Sequence, residues 1–224
     1  MISKKRTGKL VALAFAAFIV FTVMACPNLP GDSPEYVAPV TGMSPGDGRI
    51  CFSDKPTLSW TAVEGSAGYE LQLATSEAGL AAATETPASA SFSPAMALDF
   101  LSTYYWRVRA IDADGQCCPW SAIHSFTVAS GEIASGTMVP SNDTTTAQST
   151  STPTLGWVGP EGAVSYEVAF GLSTGSLETA IATEAAYTFA VPLPEATVYW
   201  WRVRAIDGIG GAGAWSTFSS FKSK

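Results

Sequence analysis

The sequence predicts an all-β protein in which one small sandwich occurs twice in tandem behind an export signal. Three observations predict this. The string WRVRAID occurs at residues 106–112 and again at 201–207, and an internal period of that length marks a repeated structural unit. The same landmarks surround each copy: Pro56-Thr57-Leu58-Ser59-Trp60, Tyr69-Glu70-Leu71 and Trp120-Ser121 in the first, Pro153-Thr154-Leu155-Gly156-Trp157, Tyr166-Glu167-Val168 and Trp215-Ser216 in the second. Within each copy apolar residues alternate with polar ones, and no segment sustains a 3.6-residue period.

The longest strand of each repeat is the clearest. In the first, Tyr104, Trp106, Val108 and Ala110 share a face that is expected to be core, opposite Tyr105, Arg107 and Arg109. In the second, Tyr199, Trp201, Val203 and Ala205 oppose Trp200, Arg202 and Arg204. Shorter β-rich runs precede it at 57–62, 69–75 and 89–92, and another follows at 121–128. Residues 78–86 have the composition of a short helix. Their counterpart 177–183 is equally rich in Ala and Thr, so both are expected to be a loose edge strand and loop.

The first 25 residues stand apart. Lys4, Lys5, Arg6 and Lys9 precede an apolar stretch from Leu10 to Val23, short for a bilayer span and flanked as an export signal is. It ends in Val23-Met24-Ala25-Cys26, which resembles a bacterial lipobox. That resemblance implies acylation of Cys26, by chains such as palmitate, and a membrane anchor. Each buried methylene contributes about 0.8 kcal/mol, so two or more chains hold stably. The organisation expected is a signal peptide at 1–25, a lipidated tether at 26–38, and domains at 39–129 and 130–224. Pro27 follows the cysteine in place of the Asp that retains enterobacterial lipoproteins in the inner membrane, which points to the outer membrane or the cell surface.

A Trp on the second strand (Trp60, Trp157), a Tyr opening the third (Tyr69, Tyr166), and Leu98 or Leu193 six residues before Tyr104 or Tyr199 together resemble the fibronectin type III domain, an immunoglobulin-like fold. The resemblance covers residues 39–224. The Trp-Arg-Val-Arg-Ala-x-Asp string with a following Trp-Ser is similar to bacterial members. It implies a tyrosine corner at each Leu/Tyr pair, where the phenol caps backbone, and Trp60 and Trp157 as central plugs. An antibody-type fold is disfavoured, because neither core strand carries the inter-sheet cysteine.

Two arginine–aromatic sets invite a functional reading. Arg107, Arg109 and Trp120 recur as Arg202, Arg204 and Trp215. They are expected to be cation–π stacks that stiffen the strand pair, with a carbohydrate platform as the alternative. Tyr105 and Trp200 lie on the same wet face and differ between repeats, which makes them the candidate ligand contacts. Beyond Cys26, an odd number of cysteines remains: Cys51, Cys117 and Cys118. Cys51 is expected to bridge one of the adjacent pair, and the alternative is a Cys117–Cys118 ring.

Several chemistries are disfavoured. The chain holds 12 Lys and Arg against 19 Asp and Glu, and four of the basic residues lie in the signal, so nucleic acid is not expected as a partner. Three thiols and the single His124 form no metal-ligand spacing. Asp112-Ala113-Asp114-Gly115 opens like a calcium loop but has no closing glutamate, and reads as a turn. No nucleophile motif or phosphate loop is present, and neither cofactor nor enzymatic activity is expected. The Gly/Ser-containing linker at 130–136, followed by a Ser/Thr-rich stretch at 141–154, implies beads in series with some bend, and Lys224 is expected to close the last strand with no third domain after it. The function expected is a noncatalytic envelope lipoprotein for protein binding, adhesion or spacing. The rivals are a glycan-binding module and an accessory subunit of a separately encoded envelope enzyme.

Overall fold

The computed structural model describes residues 38–224. The export signal and Cys26 lie outside the described residues. The first sandwich runs β1 (Arg49–Cys51), β2 (Leu58–Ser59), β3 (Gly68–Ala74), β4 (Thr84–Glu85), β5 (Ser91–Phe92), β6 (Thr103–Ile111) and β7 (His124–Val128). The second runs β8 (Asp143–Ala147), β9 (Thr154–Gly156), β10 (Ala163–Ser173), β11 (Ser176–Ala182), β12 (Ala186–Thr188), β13 (Val198–Asp207) and β14 (Ser219–Lys222). In each, a five-stranded sheet faces a two-stranded one. The large sheets are ordered β1-β7-β6-β3-β4 and β11-β10-β13-β14-β8, the small ones β2-β5 and β12-β9.

Period-two alternation places the cores. Along β6 the side chains of Tyr104, Trp106, Val108 and Ala110 are buried while Tyr105, Arg107 and Arg109 are half-buried on the outer face. β13 repeats this with Tyr199, Trp201, Val203 and Ala205 inside. The aromatic geometry repeats as well. Trp60 meets Tyr69 edge-on at 5.2 Å and Trp106 at 6.3 Å, and Trp157 meets Tyr166 and Trp201 at the same two distances. Trp60 and Trp157 keep 5% and 6% of their surface exposed, whereas Trp106 and Trp201 keep none. The centre of each core is therefore the long-strand Trp, with its partner on the shorter strand packed beside it.

The turn into the long strand differs between repeats. The Asp99 N–H donates to the Tyr104 hydroxyl at 3.0 Å, which is the tyrosine corner. In the second sandwich Pro194 stands at the position of Asp99 and has no N–H to donate. There the buried Ser223 ties the turn instead, with its hydroxyl donating to the Pro194 carbonyl and accepting from the Thr197 N–H at 2.9 Å.

Three expectations need correction. Two edge strands escaped the alternation argument: β1, and β8 inside the Ser/Thr-rich stretch. Each runs parallel to the last strand of its sandwich, and β8 is too exposed on both faces to show an apolar period. The segments 78–86 and 177–183 do not share a structure. Residues Glu77–Ala82 form a 3-10 helix, capped by the Ser76 hydroxyl accepting from the Gly79 N–H and pinned by buried Leu80. The counterpart is the seven-residue strand β11. Ala and Gly suit a helical turn in the one, while Leu177, Thr179 and Ile181 at alternate positions suit a pleated surface in the other.

The third correction concerns the linker. The sandwiches are not independent beads. Phe52, from the loop after β1, is buried within the second core beside Ile133 and Met138, and Ile209 of the second sandwich packs against the first core. The Phe52 N–H donates to Asp207 Oδ2 at 2.7 Å, and the Ala214 N–H donates to the Ser130 carbonyl at 3.2 Å. Backbones approach closely here: a Cβ on Gly213 would lie 2.8 Å from the Gly131 carbonyl oxygen, and one on Gly162 would lie 2.7 Å from Ile50 Cβ. Glycine is required at both places.

Candidate binding surface

Each Trp-Ser dipeptide builds the outer face of its long strand. Ser121 pairs with Val108 through both backbone and side chain: its N–H donates to the Val108 carbonyl at 2.9 Å, and its hydroxyl accepts from the Val108 N–H at 3.1 Å. Ser216 does the same with Val203, at the same distances. This anchorage sets the preceding indole over the outward arginines. Arg107 and Arg109 lie 4.7 and 4.4 Å from the Trp120 ring centre, and Arg202 and Arg204 lie 4.5 and 4.6 Å from that of Trp215. At these distances each guanidinium is attracted by the ring quadrupole. The far side of each stack is held by a carboxylate, Glu70 with Arg109 and Glu167 with Arg204. Ser216→Ala is expected to cost about 1–3 kcal/mol, because it leaves the buried Val203 N–H without an acceptor. Urea denaturation would read this as a lower midpoint.

One rung is incomplete. Arg107 Nε donates to Gln72 Oε1 at 2.9 Å, but Ala169 stands at the equivalent place on β10, and the buried Nε of Arg202 has no partner. Phe218 covers that guanidinium instead, 4.9 Å away. Ala169→Gln is expected to restore the acceptor and to raise stability by about 1 kcal/mol. A fall in the urea midpoint would show that the glutamine does not fit.

Tyr105 and Trp200 lie beside these stacks, each half-buried. Their cross-strand neighbours are small: Ala74 and Ser125 flank Tyr105, and Gly171 and Ser220 flank Trp200. Gly171 cannot carry a side chain, because a Cβ there would lie 2.2 Å from the Ser176 carbonyl oxygen. Along its row the half-buried Trp200 is therefore flanked by buried Ser220 and by the Ser176 backbone at Gly171, an aromatic step beside a cationic one.

The turns after the long strands use a shared device to different ends. Asp112 Oδ1 accepts the N–H groups of Asp114 and Gln116, and Asp207 Oδ1 accepts those of Ile209 and Gly211. Asp112 is exposed, whereas Asp207 is buried and spends its second oxygen on Phe52. Sequence reasoning read both as strand turns and missed the junction role of Asp207. The signal was present: the second copy continues Gly-Ile-Gly-Gly-Ala-Gly-Ala, small residues that a docked backbone needs. Among the described residues no three His, Cys, Asp or Glu side chains converge on one point, and no helix is long and apolar enough to cross a membrane.

The cysteine bridge is also corrected. Cys51 pairs with Val128, beside the start of β6, while Cys117 bridges Ile111 at its end. Eight strand residues separate these ends by roughly 26 Å, far beyond the reach of a disulfide. Cys51 is wholly buried, and its thiol is pushed up to about 12 from 9.0, first by burial and then by the negative charge of Asp207. The folded state therefore holds this proton more tightly than the unfolded one, and its contribution to stability is complete below pH 9 and lost as pH rises towards 12. Cys51 is expected to resist iodoacetamide at pH 8 in the folded chain and to react once urea unfolds it, as mass spectrometry of the labelled peptides would read.

The fold and this outer surface define a pair of fibronectin type III-like, immunoglobulin-class sandwiches. A family model described as the Rha78A-like, N-terminal immunoglobulin domain matches residues 50–132. Among solved structures, the FN1–FN3 domains of chicken CNTN1 align over 84% of this chain with a TM-score of 0.54 and 14% identity. The chain spans 65% of that segment. The fibronectin(III)-like modules of Clostridium thermocellum CbhA align over 83% of this chain and 94% of theirs, with 13% identity and a TM-score of 0.42. The Streptomyces avermitilis α-L-rhamnosidase complexed with L-rhamnose aligns over 83% of this chain and 25% of its own, with 15% identity and a TM-score of 0.34. No curated protein matches the sequence.

Proposed function

We propose that this chain is a noncatalytic lipoprotein of a bacterial envelope, anchored through acylated Cys26, whose two sandwiches form one stiff unit that contacts another envelope or surface protein. The observation that carries the reading is the interlocked junction. A junction that buries Phe52 and the Asp207 carboxylate holds the sandwiches at a set angle, which suits a spacer or a presenting arm. The basic, apolar and Val-Met-Ala-Cys segments that end at Cys26 support the anchor, and Pro27 supports an outer-membrane or surface location. Cells fed labelled palmitate should transfer label to the chain and not to the Cys26→Ala variant. Protease shaving of intact cells then separates surface from periplasmic exposure, and digestion that needs an opened envelope would overturn an adhesive role. Hydrolase activity from the chain alone would overturn the reading as a whole.

A second reading is favoured by Trp200 and Tyr105 together with the match to a Rha78A-like N-terminal domain: the outer sheets bind glycan. An indole bordered by Gly171 and Ser220 offers a face on which a sugar ring can stack, with the Arg202 edge close by. A glycan array probed with the chain and with Trp200→Ala distinguishes the two. Binding lost in the variant, with its urea midpoint unchanged, would establish the glycan reading, and no binding by the parent chain would remove it.

A further inference from the structure

The two repeats treat the same sheet edge in opposite ways. In the first sandwich the edge beyond β3 is blunted by the 3-10 helix at Glu77–Ala82 and a two-residue β4. In the second, β11 is a seven-residue edge strand that pairs only with β10, in unbroken register from Glu178 to Ala182 and with a shift beside the turn at Ser176. Its sequence, SLETAIA, contains neither Lys nor Pro, two of the usual protections against pairing with another chain, and its one charge is Glu178, in the row of Phe170. The other outer strands of the two large sheets are short or irregular: β1 has three residues, β4 two, and β8 joins β14 through a shifted register. On β11, Ile181 is 66% exposed in the row of Glu167, on the outer face.

We infer that β11 is a self-association edge, and that a second copy of this chain pairs with it antiparallel about a two-fold axis at Thr179. The register follows from the sequence of the strand. With the axis at Thr179, Leu177 faces the partner's Ile181 on the outer side, Glu178 faces the partner's Ala180, Ser176 faces the partner's Ala182, and Thr179 faces the partner's Thr179. Apolar and Thr–Thr cross-strand pairs are favourable, and no like charges meet. An axis at Glu178 would set two carboxylates directly opposite one another, and one at Ala180 would separate Leu177 from Ile181. The pairing joins two five-stranded sheets into one continuous sheet. It satisfies the outward N–H and C=O groups of β11, and it is closed, as a two-fold dimer must be.

The test is cross-linking of the full chain in its own membrane with a short bis-maleimide. Thr179→Cys places two thiols on the axis, with Cα atoms about 5 Å apart. Ser176→Cys places its two thiols roughly 20 Å apart, because six strand residues separate each from the partner's equivalent. Thr179→Cys is expected to give dimer well above the wild-type level, Ser176→Cys to give no more than wild type, and Thr179→Cys with Ile181→Lys to lose the product. Dimer no greater than wild type from Thr179→Cys overturns the inference, and so does equal cross-linking through Ser176→Cys. Sedimentation of the unmodified chain in detergent supplies a variant-free check. A protein mass of two chains is expected, and that of one chain at micromolar concentration overturns the proposal.

Discussion

Phe52→Ala is expected to destabilise the second sandwich although Phe52 belongs to the loop after the first strand of the other. Its ring is buried in the second core, and it lies so close to Gly131 that a Cβ there would approach the ring to 2.6 Å. Removing the ring opens a cavity at the seam, at a cost of about 3–5 kcal/mol. Hydrogen exchange should show the loss in β13 and β14 ahead of β6 and β7. An effect confined to β6 and β7 would mean that the second sandwich does not depend on its neighbour. Asp207→Ala should act in the same direction, because it strands the N–H groups of Phe52, Ile209 and Gly211. Each buried donor left without an acceptor costs about 1–3 kcal/mol. Asp112→Ala, at the exposed equivalent turn, should cost far less.

Trp201→Ala is expected to unfold the second sandwich, while Trp200→Ala, one residue earlier, leaves it folded. Trp201 is wholly buried, packs on Trp157, and donates its Nε1–H to the Pro140 carbonyl at 3.3 Å. Truncation of such a side chain costs about 3–5 kcal/mol, a large part of the stability of a domain this small. Trp200 sits on the opposite face of the strand and is half-buried, so its loss removes surface contact and not the core. Urea denaturation followed by far-ultraviolet circular dichroism would separate the two. Equal destabilisation would mean that the alternation along β13 does not decide burial, and the assignment of an outer face would fall with it.

Much of the site was legible because its signals are local. The Trp-Ser dipeptide and the two outward arginines are set by strand period, so the sequence was enough to bring Arg107, Arg109 and Trp120 together, and likewise Arg202, Arg204 and Trp215. The missing rung at Arg202 was not legible, because it depends on which residue of β10 lies across the strand. The cysteines failed for a related reason. Cys51 ends β1 and Cys117 lies in the loop after β6, but β6 holds them at opposite ends, and spacing along the chain carries no information about that distance.

The repeat equivalences also show why the junction forms where it does. Gly213, Ala214 and Ile209 of the second sandwich correspond to Cys118, Pro119 and Asp114 of the first. At those places the first sandwich carries a side chain where the backbones must touch, lacks the N–H that meets Ser130, and bears a charge where Ile209 packs. The first sandwich therefore does not offer the socket that the second does.

By itself, the sequence determined that this protein is a tandem of β-sandwiches, which face of each long strand is core, and which arginines stack on which tryptophans. These follow from a period of two and a repeated motif, and both are properties of neighbouring residues. Only the tertiary structure decided that Phe52 completes the other core, that Asp207 is a junction residue and Asp112 a turn residue, and that one repeat closes its sheet edge while the other leaves β11 open. Those outcomes depend on contacts between residues up to 155 positions apart and on competition between helix and strand in two Ala-rich segments, where Leu80 finds a core to enter and Ile181 does not.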